Sequence, residues 1–354
     1  MANNTEEAKT GASFSSIDNV QLVIYPVILL FGSIGNILVM LVIWNKKRHR
    51  KINDYFILNL AIGDFWMVTI STSVDFYLKF REFPFGDLLC KGVWPLMTMC
   101  LFASVFTLTC MAIERWHTIV KPLAPRLTVT KVLWVLLFTW IAGLGCVSPL
   151  TVVAHQRGRS CTESWPSFAM RQAYTVAVVS LQYALPLFII TIAYARIGIF
   201  LKRCTRLKIS DSSKRSAAVL RRQANNAKIN KNLRTIVTLF AIFMLPKQVL
   251  WLWLDFGKGG DFEHFGDALI FSEFMLYIHS STNPVVYGTI LQEYRSGICH
   301  YLRRIFPFLR SSCTNYNSIQ VHPELKLESN NNSNSMTLTN RKLFHQPESI
   351  KEIA

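Results

Sequence analysis

Residues 90–116 read CKGVWPLMTMCLFASVFTLTCMAIERW, an apolar run that opens at Cys90 and closes on Glu114-Arg115-Trp116. Cys90 and Arg115 stand 25 positions apart, which as an α-helix is roughly 37 Å and crosses the hydrocarbon core of a bilayer with ends to spare. No acidic or basic residue lies between Lys91 and Glu114, so the two ends fall at opposite membrane faces. An ion pair at the rim of a spanning helix, next to basic loops, reads as a switch rather than a stabilising bridge. Such a pair loses to desolvation much of what it gains by attraction. A lone pair of this kind is more often two ordinary interfacial charges, and what lifts this one is its company.

Six further segments share the layout, at about 21–45, 54–78, 131–154, 173–201, 232–255 and 266–290, and with 91–113 they make seven. Each is near or above the ~20 residues that a spanning helix needs. A soluble domain of 354 residues rarely carries so many apolar stretches of that length. The expected fold class is an all-α membrane protein, a seven-transmembrane helix bundle. Residues 1–20 are expected to form an extracellular N-terminal tail and 21–290 the bundle. Residues 291–306 are expected to form a short amphipathic cytoplasmic helix, with Tyr294, Ile298, Tyr301, Leu302 and Ile305 at helical spacing. From 307 to 354 a disordered cytoplasmic tail is expected, rich in Ser, Thr and Asn that kinases would phosphorylate. No short apolar stretch followed by a small-residue cleavage site opens the chain, so the first span is expected to direct insertion itself.

The formal net charge of +17 suggests nucleic acid until its placement is read. Lys46, Lys47, Arg48, Arg50 and Lys51 fill the first loop, and a second basic block runs from Lys202 to Arg234. Both fall on one side if seven spans alternate, and that side is cytoplasmic by the positive-inside rule. The excess therefore reads as topology and attraction to anionic membrane lipid or an acidic partner, with no nucleic-acid partner expected. Of eight cysteines, Cys90 and Cys161 fall in outward-facing segments and are a candidate disulfide, whose pairing the sequence alone leaves open. Asn3 opens an acceptor sequon for glycosylation, and Cys299 and Cys313 are candidates for acylation beside the membrane.

One charge is expected deep in the spans, Asp64. A buried carboxylate in lipid costs several kcal/mol unless paired or hydrated, so Asp64 faces the interior and is a functional candidate. Asn36, Ser104, Ser280 and Asn283 are polar residues at similar estimated depth. With Asp64 as the charged ligand they would hold a sodium ion or a water cluster, since hard cations prefer oxygen. The alternative is a protonated Asp64 hydrogen-bonded to the same groups. No other cofactor is expected. Pro284, in Asn283-Pro284-Val285-Val286-Tyr287, removes a helix hydrogen bond and makes a bend that Tyr287 would follow. Pro186 and Pro246 offer two further hinges. Three bends beside one buried acid describe a bundle built for two packings.

These residues resemble the rhodopsin-like family of G-protein-coupled receptors over roughly 21–306. The resemblance rests on Gly35-Asn36, Leu60-Ala61 with Asp64, Glu114-Arg115-Trp116, Trp140, Pro186 with Tyr194, Phe240 with Pro246, and Asn283-Pro284 with Tyr287, in family order and spacing. It implies agonist binding outside and nucleotide exchange on a heterotrimeric G protein inside. Arg115 would be held by Glu114 when inactive and released when active, with Tyr194 and Tyr287 steadying the opened state. Arrestin and a receptor kinase are further partners it implies at the tail. Three departures stand out. Trp116 replaces the family's usual Tyr, Met244 stands where most members carry a Trp, and Asn226 lies near where some carry an acid that clasps the Arg.

The same resemblance argues two ligand classes down. Amine receptors carry an Asp where this chain has Met97, and light-sensing members a Lys where it has Tyr277. Receptors for short amidated peptides resemble this chain at Asp255, nine residues after Pro246, and in Phe83-Pro84-Phe85-Gly86. Asp255 is expected to face the entrance and to pair with a peptide Arg, with Gln182, Lys247 and Gln248 as polar contacts lower down. The expected agonist is therefore an extracellular, cationic, amidated neuropeptide. A lipid or small-molecule receptor of the same fold is the first alternative and a transporter the second. An enzyme is least expected, because no nucleophile–base or metal-ligand spacing appears.

Overall fold

Helix dominates the computed structural model because the spans can satisfy their backbone polar groups only within themselves. It describes residues 16–46, 49–81, 86–158, 160–208 and 217–305. Asn3, Glu82, Phe83, Pro84, Phe85, Cys313, the tail from 307 and the side chain of Asn226 lie outside what is described. In chain order come α1 (Ser16–Asn45), α2 (Ile52–Phe80), α3 (Gly86–Val120), α4 (Val129–Val153) and the strands β1 (Ala154–Arg157) and β2 (Ser160–Glu163). The fifth span is α5 (Phe168–Val179), a π-helical turn (Ser180–Ala184) and α6 (Leu185–Lys208). The sixth is α7 (Ala217–Phe256), the seventh α8 (Phe265–Ile290), and α9 (Gln292–Ile305) follows. Among the described residues six helices are long and apolar enough to cross a membrane by length and composition alone. The seventh, α8, is 26 residues long and more polar, carrying Asp267, Glu273, His279, Ser280 and Asn283.

Large apolar side chains at Phe31, Trp134, Phe138 and Phe188 are exposed, as a lipid-facing surface requires. Between helices in lipid no hydrophobic drive operates, so small residues that let backbones approach do the packing. A Cβ on Gly63 would sit 2.6 Å from the Ser104 hydroxyl oxygen, so glycine is what lets α2 close on α3 at that depth. Gly297 does the same for α9 on α1, where a Cβ would meet Val42 at 2.7 Å.

Pro186 acts differently from the simple hinge expected of it. Lacking an N–H, it cannot serve the carbonyl of residue 182, and the helix widens into the π turn, closed by a bond from the Leu185 N–H to the Ser180 carbonyl. The extra residue turns Gln182 inward, where it is buried. At the outer face β1 and β2 pair antiparallel with Gln156 opposite Cys161. Cys161 is bonded to Cys90 across a Cα separation of 5.7 Å, tying the hairpin to the top of α3. Asp87 adds a second tie by accepting the Gln156 N–H at 2.9 Å.

Candidate functional site

The inner end of α3 holds the switch residues. Arg115 Nε lies 2.8 Å from Glu114 Oε2, with both side chains only 8% exposed. The angle falls outside hydrogen-bond geometry for both atoms, so the contact is ionic rather than a directed bond. Glu114 Oε1 accepts the Thr118 hydroxyl at 2.8 Å, which orients the carboxylate along the helix. Trp116 is half-buried, its ring 5.1 Å below the Lys121 ammonium. Tyr194, on α6, lies within electrostatic reach of Arg115 and Arg234.

In mid-membrane Asp64 accepts two hydrogen bonds, from Asn283 at 2.6 Å and Ser104 at 3.3 Å. Ser280 lies beside the carboxylate too, with its hydroxyl outside hydrogen-bond geometry. Asn36 does not touch Asp64. Its amide donates to the carbonyls of Gly32 and Ser280, at 2.9 and 3.3 Å, so it braces α1 against α8 instead. The side-chain oxygens of Asn36, Ser280 and Asn283 are buried without hydrogen-bond partners, a cost lowered by a water or a cation among them. Among the described residues no three His, Cys, Asp or Glu side chains gather as a metal centre. The set fits a hard cation that takes one carboxylate and neutral oxygens.

Pro284 lies inside an uninterrupted α8. Tyr287, three residues on, is fully buried and packs on Tyr294 of α9 at 5.8 Å between ring centroids. Met244 is wholly buried. Beside it Phe240 sits between Tyr183 and His279, at 5.9 and 5.8 Å, and the Tyr183 hydroxyl donates to the Ala241 carbonyl at 2.9 Å. This aromatic stack ties the π turn of the fifth span to the sixth and seventh.

At the outer half, the amide of Gln248 donates to Gln182 at 3.3 Å, and both are buried. Met97 is half-buried on α3, and Lys247 Nζ lies 3.7 Å from Glu273. Tyr277 is buried and donates its hydroxyl to Asp75. Asp255 departs from expectation. It does not look into the entrance: its side chain has no exposure and lies 2.8 Å from Arg171 Nε. Thr175 also donates to it, and Gln172 donates to its backbone carbonyl at 2.7 Å.

Asp64 shares the bundle with two further titratable side chains. Asp75 of α2 is a second carboxylate in the bundle, and His279 of α8 is fully buried with both ring nitrogens unpartnered. Sequence reading further missed a clamp at the start of α2. Asp54 accepts the backbone N–H of Lys51 at 2.8 Å, the Lys46 ammonium at 2.9 Å and the Tyr294 hydroxyl at 2.6 Å. Glu293 joins it through Lys46 and Lys51. A signal was present: an Asp three residues past the N-cap, here Lys51, is a capping position. Nothing in the sequence showed that α9 would reach it. Missed likewise was the bracket in which Asn59 donates to Thr107 at 2.7 Å and accepts from Trp140 at 2.9 Å.

Together these contacts describe a bundle of membrane-length helices with an ionic contact near one end, a hydrogen-bonded carboxylate at mid-depth and a disulfide-tied hairpin at the other end. The sequence pattern described as "7 transmembrane receptor (rhodopsin family)" matches residues 35–287, and the chain belongs to that family. It is 31% identical over 297 residues to the neuropeptide FF receptor 1 of Rattus norvegicus, covering 77% of this chain and 68% of that one. The RYamide receptor of Drosophila melanogaster is 29% identical over 309 residues, 82% of this chain and 64% of its own. The substance-K receptor of Homo sapiens is 28% identical over 312 residues, 84% and 77%.

Proposed function

We propose that this receptor sits in the plasma membrane with its N-terminus outside, binds an extracellular amidated neuropeptide with a cationic side chain, and drives nucleotide exchange on a heterotrimeric G protein. The observation that carries the signalling half is the Glu114–Arg115 contact at 2.8 Å, held at the inner end of the helix whose outer end the disulfide fixes. The peptide half is supported by the names of three relatives, those for neuropeptide FF, RYamide and substance K.

In this reading Met97, Gln182, Lys247, Gln248 and Tyr277 line the path of the peptide. Its docking biases the Tyr183–Phe240–His279 stack, which sits between the mouth and Asp64. Rearrangement there loosens the Asp64–Asn283 bond and lets the Pro284 segment carry Tyr287 away from Tyr294. Arg115 then leaves Glu114 for the G protein, and Tyr194 and Tyr287 hold the opened form. A sodium ion, when bound, supplies positive charge to Asp64 and favours the closed packing; Ser104, Ser280 and Asn283 complete its oxygen set. Arrestin and a receptor kinase act on the tail. Asn3 carries a glycan, and Cys299 and Cys313 are lipid attachment points on the membrane side. The test is a library of C-terminally amidated peptides applied to cells expressing the chain, read by calcium, cAMP and arrestin recruitment. A response that disappears with Arg115→Leu in the G-protein readouts supports the reading, and silence in all three contradicts it.

A further inference from the structure

Asp255 already has a cation. Arg171 sits 2.8 Å from it and Thr175 donates to the same carboxylate, so an incoming guanidinium would have to evict a residue of the receptor itself. A second acidic pair lies on other helices, Asp75 on α2 and Glu273 on α8. Asp75 of α2 is half-buried, and its hydrogen-bond donor is the neutral hydroxyl of Tyr277. Asp75 and Glu273 repel one another, and the charges of Lys247 and Lys79 offset this from a distance. Among the described residues Asp75 has no ion pair of its own, and Lys247 reaches Glu273 only at 3.7 Å. Two carboxylates close enough to repel one another, with incomplete neutralisation, attract a cation.

A second observation points the same way. Gln21 of α1 is wholly buried, and neither its amide nitrogen nor its amide oxygen has a hydrogen-bond partner. It stands one helical turn outward of Tyr25, on the same face of α1. That face meets α8 where the Tyr25 and Phe274 rings lie 5.0 Å apart, next in sequence to Glu273. Tyr25 also lies within the field of both Asp75 and Glu273. A buried amide with both functions unused matches a ligand that presents an amide of its own.

We propose that the cationic side chain of the agonist is received by Asp75 and Glu273 between α1, α2, α7 and α8, with Gln21 hydrogen-bonding its terminal amide, and that Asp255 with Arg171 is an internal bolt between α5 and α7. This rests on the peptide-receptor reading above. An arginine side chain suits the site best, since its planar fork engages Asp75 through two parallel N–H donors.

The probes are synthetic amidated peptides with arginine next to the last residue, each with a twin in which the neutral isostere citrulline replaces arginine. Full-length receptor is expressed in cells and potency is normalised to surface level. The native receptor is expected to prefer arginine over citrulline by roughly tenfold or more. Asp75→Asn with Glu273→Gln is expected to erase that preference, and Asp75→Glu to keep it. The bolt-replacing pair Arg171→Met with Asp255→Leu is expected to keep it as well. A second arm makes the result independent of lost expression: Asp75→Lys should gain response to a peptide carrying glutamate in place of arginine. The inference is overturned if the preference survives the Asp75 and Glu273 changes, or if it collapses in the Arg171 and Asp255 pair. A native receptor silent to every peptide overturns the peptide reading, and this inference with it.

Discussion

The Tyr294 hydroxyl donates to Asp54 Oδ1 at 2.6 Å, and through that bond α9 is fastened to the first turn of α2. Lys46 crosses the same Tyr294 ring at 4.2 Å while pairing with Asp54 at 2.9 Å. One buried acid thus organises a loop, a span and the surface helix. Because Tyr294 also packs on the Tyr287 ring, the clamp braces the end of α8 as well. Tyr294→Phe keeps the ring contact and removes the hydroxyl. It is expected to lower stability by about 1.5–3 kcal/mol, the range for a hydrogen bond to a charged group. Thermal unfolding of purified receptor, with hydrogen exchange over 292–305, checks this.

The clamp also sets a pH dependence. Burial pushes the Glu293 carboxyl up, but the hydrogen bond from Lys51, with the charge and hydrogen bond of Lys46, outweighs it and holds the group below the usual glutamate range. A folded-state value below the unfolded one gives stability that is present above the unfolded pKa and lost as pH falls through the folded one. The opening equilibrium of α9, taken from hydrogen exchange after correction for the intrinsic pH dependence of the amide rate, is therefore expected to stay flat from neutral pH down to about 5 and to rise below about 4.5. With Glu293→Gln the acid-side rise should shrink.

Arg171 and Asp255 invite a double-mutant cycle. Removing Arg171 strands the buried Asp255 carboxylate, with an expected loss of about 3–5 kcal/mol, and removing Asp255 should cost less because the Arg171 side chain is 32% exposed. Arg171→Met with Asp255→Leu together should recover most of it, since an apolar pair of similar size often replaces a buried ion pair at little cost. Surface expression and thermal midpoint of the four receptors give the coupling.

Asp64 is the one carboxylate in the mid-membrane oxygen set. Receptor in sodium chloride is expected to unfold at a higher temperature than in potassium chloride of equal strength. Asp64→Asn should abolish the difference while leaving a folded protein. Thermal midpoints in the two salts decide it.

Much of this architecture could be read before any coordinates. The seven spans and the surface helix follow from run length and helical spacing, because in lipid the backbone leaves few alternatives. Glu114 with Arg115, and Asp64 with Asn283, were legible because a charge among apolar residues is conspicuous. Asp255 was visible as an acid, but its partner was not. Arg171 lies 84 residues earlier and reads as an ordinary charge at a membrane edge. The π turn was hidden for a different reason. A proline announces a missing N–H, but which carbonyl is abandoned and how the helix widens depend on neighbouring packing. Asp75 escaped notice because it sits near the end of a span, where acids are usually solvated, and only the fold brings Tyr277 onto it.

The central claim is that Arg115 is held by Glu114 at rest and is needed for signalling when freed. The direct measurement is guanine-nucleotide exchange on purified heterotrimeric G protein by receptor reconstituted in lipid discs. Glu114→Gln is expected to raise agonist-free exchange several-fold over the native receptor, as about 1 kcal/mol of lost latching already shifts the equilibrium about fivefold. Arg115→Leu is expected to leave exchange at the level of empty discs, with or without peptide. Native-level exchange by Arg115→Leu, or no rise with Glu114→Gln, would contradict the account.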